Sequence, residues 1–215
     1  MKLFLDSADV DTIRKAFATG LLDGVTTNPT FISRTGRKFA DVVKEICSIV
    51  SGSVSVEVMA DDASGMVDEA VKISSIAPNI AVKIPMTVEG LKAVPIIEQE
   101  KNIRTNVTMV FSPTQAFLAM KAGATYVSLV LSRLDAIAHE SDILIEDTVT
   151  IKHTYGFDSD ILAASLKTQN HMLSALRSGV DIATIPDALF FQMFNHPLTD
   201  TGLAAFKHDW EKVQQ

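Results

Sequence analysis

Eight short runs rich in β-branched and apolar residues recur along the 215-residue chain, separated by stretches of helical length. They are KLFLD from Lys2, GVTT from Gly24, VSVEVM from Val54, IAVKIP from Ile80, IRTNVTMV from Ile103, ATYVSLVL from Ala124, DILAAS from Asp160 and DIATIP from Asp181. Strand-length runs that alternate with amphipathic helical segments are the signature of βαβ units, whose strands lie parallel in one sheet. Eight such units close into a barrel, so the expected fold is α/β, a single (β/α)8 TIM barrel. Barrels of this kind use about 250 residues, so the chain has room for short loops and one domain over 1–215.

Helical periodicity is expected from Asp9 to Thr19, Lys38 to Val50, Ala63 to Ile76 and Thr87 to Gln99, the last with Thr87 as N-cap. Gly123 and Gly179 follow helices and precede strands, as glycines at helix C-termini do. The tail from Pro197 carries a further amphipathic helix, about 199–214, with Leu203, Phe206, Trp210 and Val213 on one face. Eight units do not need it, and contact with another subunit is the expectation.

Charge narrows the partners. With 19 basic against 26 acidic residues the net charge is −7, opposite to the basic footprint that grips a nucleic-acid backbone. No run approaches the roughly 18 apolar residues of a membrane span, and the N-terminus is unlike a signal peptide, so a cytoplasmic protein is expected. The single cysteine, Cys47, lies in an apolar helical pattern and is assigned to packing. P-loop and GxGxxG phosphate cradles are lacking, which argues against nucleotide chemistry. His139, His153, His171, His196 and His208 lie away from the strand ends without metal-ligand spacing. They are assigned to surface or packing, and neither a metal nor a cofactor is expected.

In such barrels the chemistry sits at the C-terminal strand ends. There the chain carries Asp6, Thr26 with Asn28, Glu57, Lys83, Asn106 with Thr108, Ser128 and Ser165. Lys83 stands between Val82 and Ile84, so it must point into the barrel or break an apolar outer face. Burial would lower its pKa from about 10.4 toward roughly 7 to 8 and make it a competent nucleophile for a ketone. The alternative is a lysine that snorkels at the strand end or pairs with Asp6. Asp6 and Glu57 could act as general acid and base, or either could be the ion-pair partner of Lys83. Arg133, after the sixth strand, and Ser165 with Lys167, after the seventh, suit a phosphate monoester; a solvated surface group is the alternative.

FLDSADV, DGVTTNPT, VKIPMT, TNVTMVFS, YVSLVLSRLD, ILAASLKT and HPLTDTGL, in this order, resemble the small transaldolases and fructose-6-phosphate aldolases over nearly the whole chain. The resemblance implies a Schiff base on Lys83 and proton transfer at a donor hydroxyl by Asp6. Asn28 and Asn106 would orient donor hydroxyls, and Ser128 would line the donor pocket. Glu57 and Thr108 would hold a catalytic water, and Arg133, Ser165 and Lys167 would grip phosphate. Glu57 and Ser128 are similar to the transaldolase branch, whereas Leu129 and Val130 replace its usual Pro and Phe. The implied reaction transfers dihydroxyacetone from a ketose phosphate to an aldose phosphate in the pentose phosphate pathway, by a homo-oligomer of pentamer or decamer type. The alternatives are an aldolase releasing free dihydroxyacetone and a non-catalytic sugar-phosphate-binding protein.

Overall fold

The computed structural model describes residues 1–213. All eight strands pair in parallel and in sequence order, and the first closes on the last. They are β1 (Lys2–Asp6), β2 (Gly24–Thr26), β3 (Ser53–Glu57), β4 (Ile80–Pro85), β5 (Thr105–Val110), β6 (Tyr126–Val130), β7 (Asp160–Ala164) and β8 (Ile182–Ile185). The expected barrel is therefore present, with β1 and β4 as expected and the other strand ends shifted by a residue or two.

The helices are α1 (Val10–Phe17), α2 (Pro29–Arg34), α3 (Phe39–Ile49), α4 (Ala63–Ser74), α5 (Val88–Pro95), α6 (Pro113–Lys121), α7 (Leu131–Asp135), α8 (Ser141–Tyr155), α9 (Gln169–Ser178), α10 (Asp187–Gln192) and α11 (Pro197–Val213). Side chains of Asp9, Asp62, Thr87, Ser112 and Thr168 accept backbone N–H bonds as N-caps of α1, α4, α5, α6 and α9. Gly179 ends α9 in the left-handed region at φ 73°, which only glycine adopts without steric cost. The single helix expected from Thr87 to Gln99 is instead α5 followed by a π-helical stretch, Ile96–Glu100. Pro95 lacks the N–H that would bond back to residue 91, so α-helical register is lost there.

Period-2 alternation divides each strand between two environments. Outward residues such as Leu5, Val25, Val54, Val82, Val107, Val127, Ile161 and Ala183 are buried in the main core between sheet and helices. Inward residues form a graded interior. At the N-terminal end Phe4, Ala81, Tyr126, Leu162 and Ile182 pack as an apolar plug, with Phe4 and Tyr126 edge to face at 6.5 Å. Gly24 is required by this plug: a Cβ there would lie 2.6 Å from both the Phe4 ring and the Ser53 carbonyl. One step along every strand except β7, where Ala164 follows Leu162, the inward positions become polar.

None of the residues of α11 is buried, and Leu203, Phe206, Trp210 and Val213 are 54–73% exposed. The tail helix is thus where the sequence puts it, starting two residues earlier; its expected last residue, Gln214, lies outside the described residues.

Candidate active site

The polar inward positions open into a cavity of about 610 Å³ at the C-terminal ends of the strands. Its walls include Asp6, Thr26, Glu57, Lys83, Thr108 and Ser128 from β1 to β6, with Thr184 from β8. Asn28, Ser132, Arg133, Ser165 and Lys167 contribute from the loops and short helices above. Ten of the eleven residues assigned from sequence line this one space. Asn106 is the exception.

Strand register sets the central contact. Glu57 and Lys83 are Cα partners between β3 and β4, and Lys83 and Asn106 between β4 and β5. The Lys83 ammonium donates to Glu57 Oε2 at 3.1 Å and to the Thr27 carbonyl at 3.1 Å, with only 11% of its side chain exposed. Of the two candidate partners, Glu57 therefore makes the ion pair. Asp6 accepts from Thr26 Oγ1 at 2.7 Å, and Thr26 Oγ1 also meets Thr184 Oγ1 at 2.7 Å. A threonine hydroxyl has one proton, so with Thr26 donating to Asp6 the Thr184 hydroxyl donates to Thr26.

Burial pushes the Asp6 carboxyl above its ordinary value, because desolvation penalises the anion. The Thr26 hydrogen bond and the charges of Lys83 and Lys167 oppose that rise, and Glu57 adds to it. A carboxyl held up in this way takes and returns protons more readily near neutrality.

Beneath Lys83 the floor is a hydrogen-bonded row. Ser128 Oγ donates to Asn106 Oδ1 at 2.6 Å, and Asn106 Nδ2 donates to Ser55 Oγ at 3.0 Å. Asn106 is fully buried, and its amide holds Ser128 and Ser55 in this row. Asn28, expected to share the strand face of Thr26, has left the sheet. It caps α2, its Oδ1 accepting from Phe31 N at 2.9 Å.

At the rim, two non-glycine residues have positive φ: Met109 at 64° and Ser165 at 59°. The first coincides with a register shift between Val107 and Val110 on β5. This bulge puts Met109 Sδ 3.8 Å from Arg133 Nη1. Ser165 Oγ meets Ser132 Oγ at 2.7 Å, which joins the end of β7 to the helix carrying Arg133. Such conformations cost on the order of 1–3 kcal/mol each and persist where neighbours over-determine them.

The family model for transaldolase/fructose-6-phosphate aldolase matches residues 3–215. The chain belongs to that family. A probable transaldolase of Aquifex aeolicus is 54% identical over 215 residues, covering 100% of this chain and 99% of its own. A probable transaldolase of Geotalea uraniireducens is 51% identical, covering 99% of both chains. That of Methanococcus maripaludis is 50% identical, covering 98% of both. Among solved structures, thiamine phosphate pyrophosphorylase from Pyrococcus furiosus superposes with TM-score 0.62 at 16% identity, over 88% of this chain and 87% of the other. At that identity the likeness is one of fold alone. The protein is thus an enzyme, a transaldolase-like aldolase built on a (β/α)8 barrel.

Within the transaldolase-like barrel several contributors escape a motif-by-motif reading. Thr184 sits at an inward position of β8, where alternation from Ile182 would have found it. Ser132 and Met109 carry no such signal, because a helix start and a bulge break the alternation. His171, assigned to surface or packing, is 17% exposed and bonded on both ring nitrogens, to Asp135 and to the Lys167 backbone. Cys47 is half-buried against the core as expected, and burial pushes its thiol up to about 11. No group of three or more metal-ligating side chains stands together among the described residues, and no described helix is long and apolar enough to cross a membrane.

Proposed function

We propose that this enzyme is a transaldolase that moves a dihydroxyacetone unit from a ketose phosphate, sedoheptulose 7-phosphate or fructose 6-phosphate, to an aldose phosphate through a Schiff base on Lys83. The observation that carries the reading is the mostly buried Lys83 ammonium, 3.1 Å from Glu57, at the bottom of a cavity with Arg133 and Lys167 at its rim. Sugar phosphates, not nucleic acids, are the proposed partners. The reaction fits the non-oxidative pentose phosphate pathway of the cytoplasm.

The steps follow from side-chain chemistry. Lys83 gives a proton to Glu57 and attacks the ketose C2, and loss of water leaves an iminium. A water held between Glu57 and Thr108 carries the protons of dehydration. Asp6 then takes the proton of the C4 hydroxyl as the C3–C4 bond breaks, releasing the shortened aldehyde. The electron pair of that bond is held as an enamine on the three-carbon unit. It attacks the acceptor aldehyde, whose new hydroxyl takes its proton back from Asp6, and hydrolysis frees Lys83. Ser128, held by Asn106 beneath it, and Asn28 orient the donor hydroxyls. The phosphate, several carbons away, reaches Arg133, Ser165 and Lys167, where charge-assisted bonds hold it.

One domain spanning 1–215 performs this chemistry, and the uncovered apolar face of α11 supports assembly into a pentamer or decamer. The decisive experiment is borohydride reduction in the presence of fructose 6-phosphate. A three-carbon or six-carbon adduct on Lys83, lost in Lys83→Ala and Lys83→Arg, is expected. Turnover above about a tenth of wild type in either variant, a barrier change under ~1.4 kcal/mol, would overturn the Schiff-base assignment.

A further inference from the structure

Beyond the residues that face the cavity, His171 is wired into its rim. It is the third residue of α9, and its own N–H donates to the cap hydroxyl of Thr168 at 3.2 Å. The ring Nδ1 accepts the backbone N–H of Lys167 at 3.0 Å, and Nε2 lies 2.8 Å from Asp135 Oδ2. A backbone N–H can only donate, so Nδ1 must carry a lone pair. The ring proton therefore sits on Nε2 and is given to Asp135.

Asp135 closes α7, two residues after Arg133, and its other oxygen accepts from Ser141 N at 3.3 Å. A single imidazole thus joins the loop that carries Ser165 and Lys167 to the helix that carries Arg133. Ser132 and Ser165 make the same junction from the cavity side at 2.7 Å. Between these two ties lies Ser165, in the left-handed conformation at φ 59°. A β-branch-free but non-glycine residue relaxes out of that region when its surroundings loosen.

We infer that His171 is a positioning residue for phosphate recognition. By fixing the Lys167 backbone against α7, it holds Ser165 in its left-handed state and sets the spacing between Arg133 and Lys167. Convergent donors bind a phosphate well only when that spacing is held to a fraction of an ångström by a bonded outer layer. The inference rests on the phosphate role proposed above for Arg133, Ser165 and Lys167. It adds a residue that touches neither the sugar nor the reacting atoms.

The test compares His171→Ala, His171→Asn and Arg133→Ala with glyceraldehyde 3-phosphate and unphosphorylated glyceraldehyde as acceptors. His171→Ala should raise KM for the phosphorylated acceptor by roughly three- to tenfold, with kcat and the KM for glyceraldehyde little changed, the loss expected of about one hydrogen bond. His171→Asn, whose Oδ1 can replace Nδ1 at the Lys167 N–H but which has no Nε2–H to reach Asp135, should recover only part of that loss. The Lys167 amide should exchange with solvent faster in the Ala variant and at the wild-type rate in the Asn variant. A phosphate-selective loss in Arg133→Ala with none in His171→Ala would overturn the inference and leave the phosphate reading standing. Equal effects on both acceptors in every variant would remove both. If His171→Ala is unfolded at the assay temperature, Asp135→Ala, which cuts the same link from the α7 side, is expected to show the split, and its absence would overturn the inference.

Discussion

Glu57 and Lys83 face each other across adjacent strands, register partners whose charged ends meet at 3.1 Å with 20% and 11% of their side chains exposed. The pair is neither a surface bridge nor sealed in the core. It lies at the bottom of an open cavity, where on the proposed mechanism a ketose takes the nitrogen that Glu57 now holds. Losing either partner would leave the other charge poorly compensated in a desolvated place.

On the proposed mechanism Glu57 is the residue on which the choice between transfer and release turns. A carboxylate can accept the proton of a held water, whereas an amide can only bond to it. Glu57→Gln should therefore lower the transfer rate and raise the ratio of free dihydroxyacetone to transferred unit. Val130 lines the cavity without a hydroxyl, so Glu57→Gln with Val130→Tyr should move the ratio further than either change alone. A wild type that already releases dihydroxyacetone without an acceptor, and a ratio unmoved by Glu57→Gln, would count against the transaldolase reading.

Arg133 is exposed at the rim beside Met109, and on the proposed reading it meets the substrate phosphate there. Its replacement by alanine should weaken phosphorylated substrates by about 1.5–3 kcal/mol, or roughly ten- to a hundredfold in KM. Melting temperature should change little. Equal loss for glyceraldehyde and its 3-phosphate would argue against phosphate binding there.

Asp6 provides a pH signature. Its carboxyl is raised above 3.8, so its favourable contribution to stability is complete below that value and is lost as pH rises through the raised one. At neutral pH the ionised, desolvated carboxylate destabilises the fold. Asp6→Asn keeps an acceptor for Thr26 and removes the charge, so it should abolish activity while melting higher than wild type at pH 8. That difference should shrink on titration toward pH 4, as followed by thermal melts. A difference independent of pH would show that Asp6 ionisation does not act on stability.

The tail yields an assembly prediction. With Leu203, Phe206, Trp210 and Val213 all exposed on α11, the single chain leaves an apolar face that soluble monomers rarely tolerate. Full-length protein should scatter light as a ring-type oligomer, and ending the chain after Leu198 should release smaller species. A full-length monomer would refute the subunit-contact role.

Much of this molecule was legible in its sequence, for a local reason. Alternation along each strand sorts Phe4 and Asp6, Ala81 and Lys83, or Asn106 and Thr108 to one face whatever the rest of the chain does. Eight repeats then leave little choice but closure. The order of motifs carried the family in the same way. What local pattern could not supply was distance between strands. That Lys83 meets Glu57 and not Asp6, that Asn106 is committed to Ser55 and Ser128 in the floor, and that Asn28 leaves its strand to cap α2 depend on barrel register and chain direction at the rim. The link from His171 through Asp135 to the helix of Arg133 spans two βα units, and the bulge at Met109 breaks the very alternation from which sequence reasoning starts. Periodicity decides which way a side chain points, but its partner is set by closure of the whole barrel, a non-local event that only the tertiary structure records.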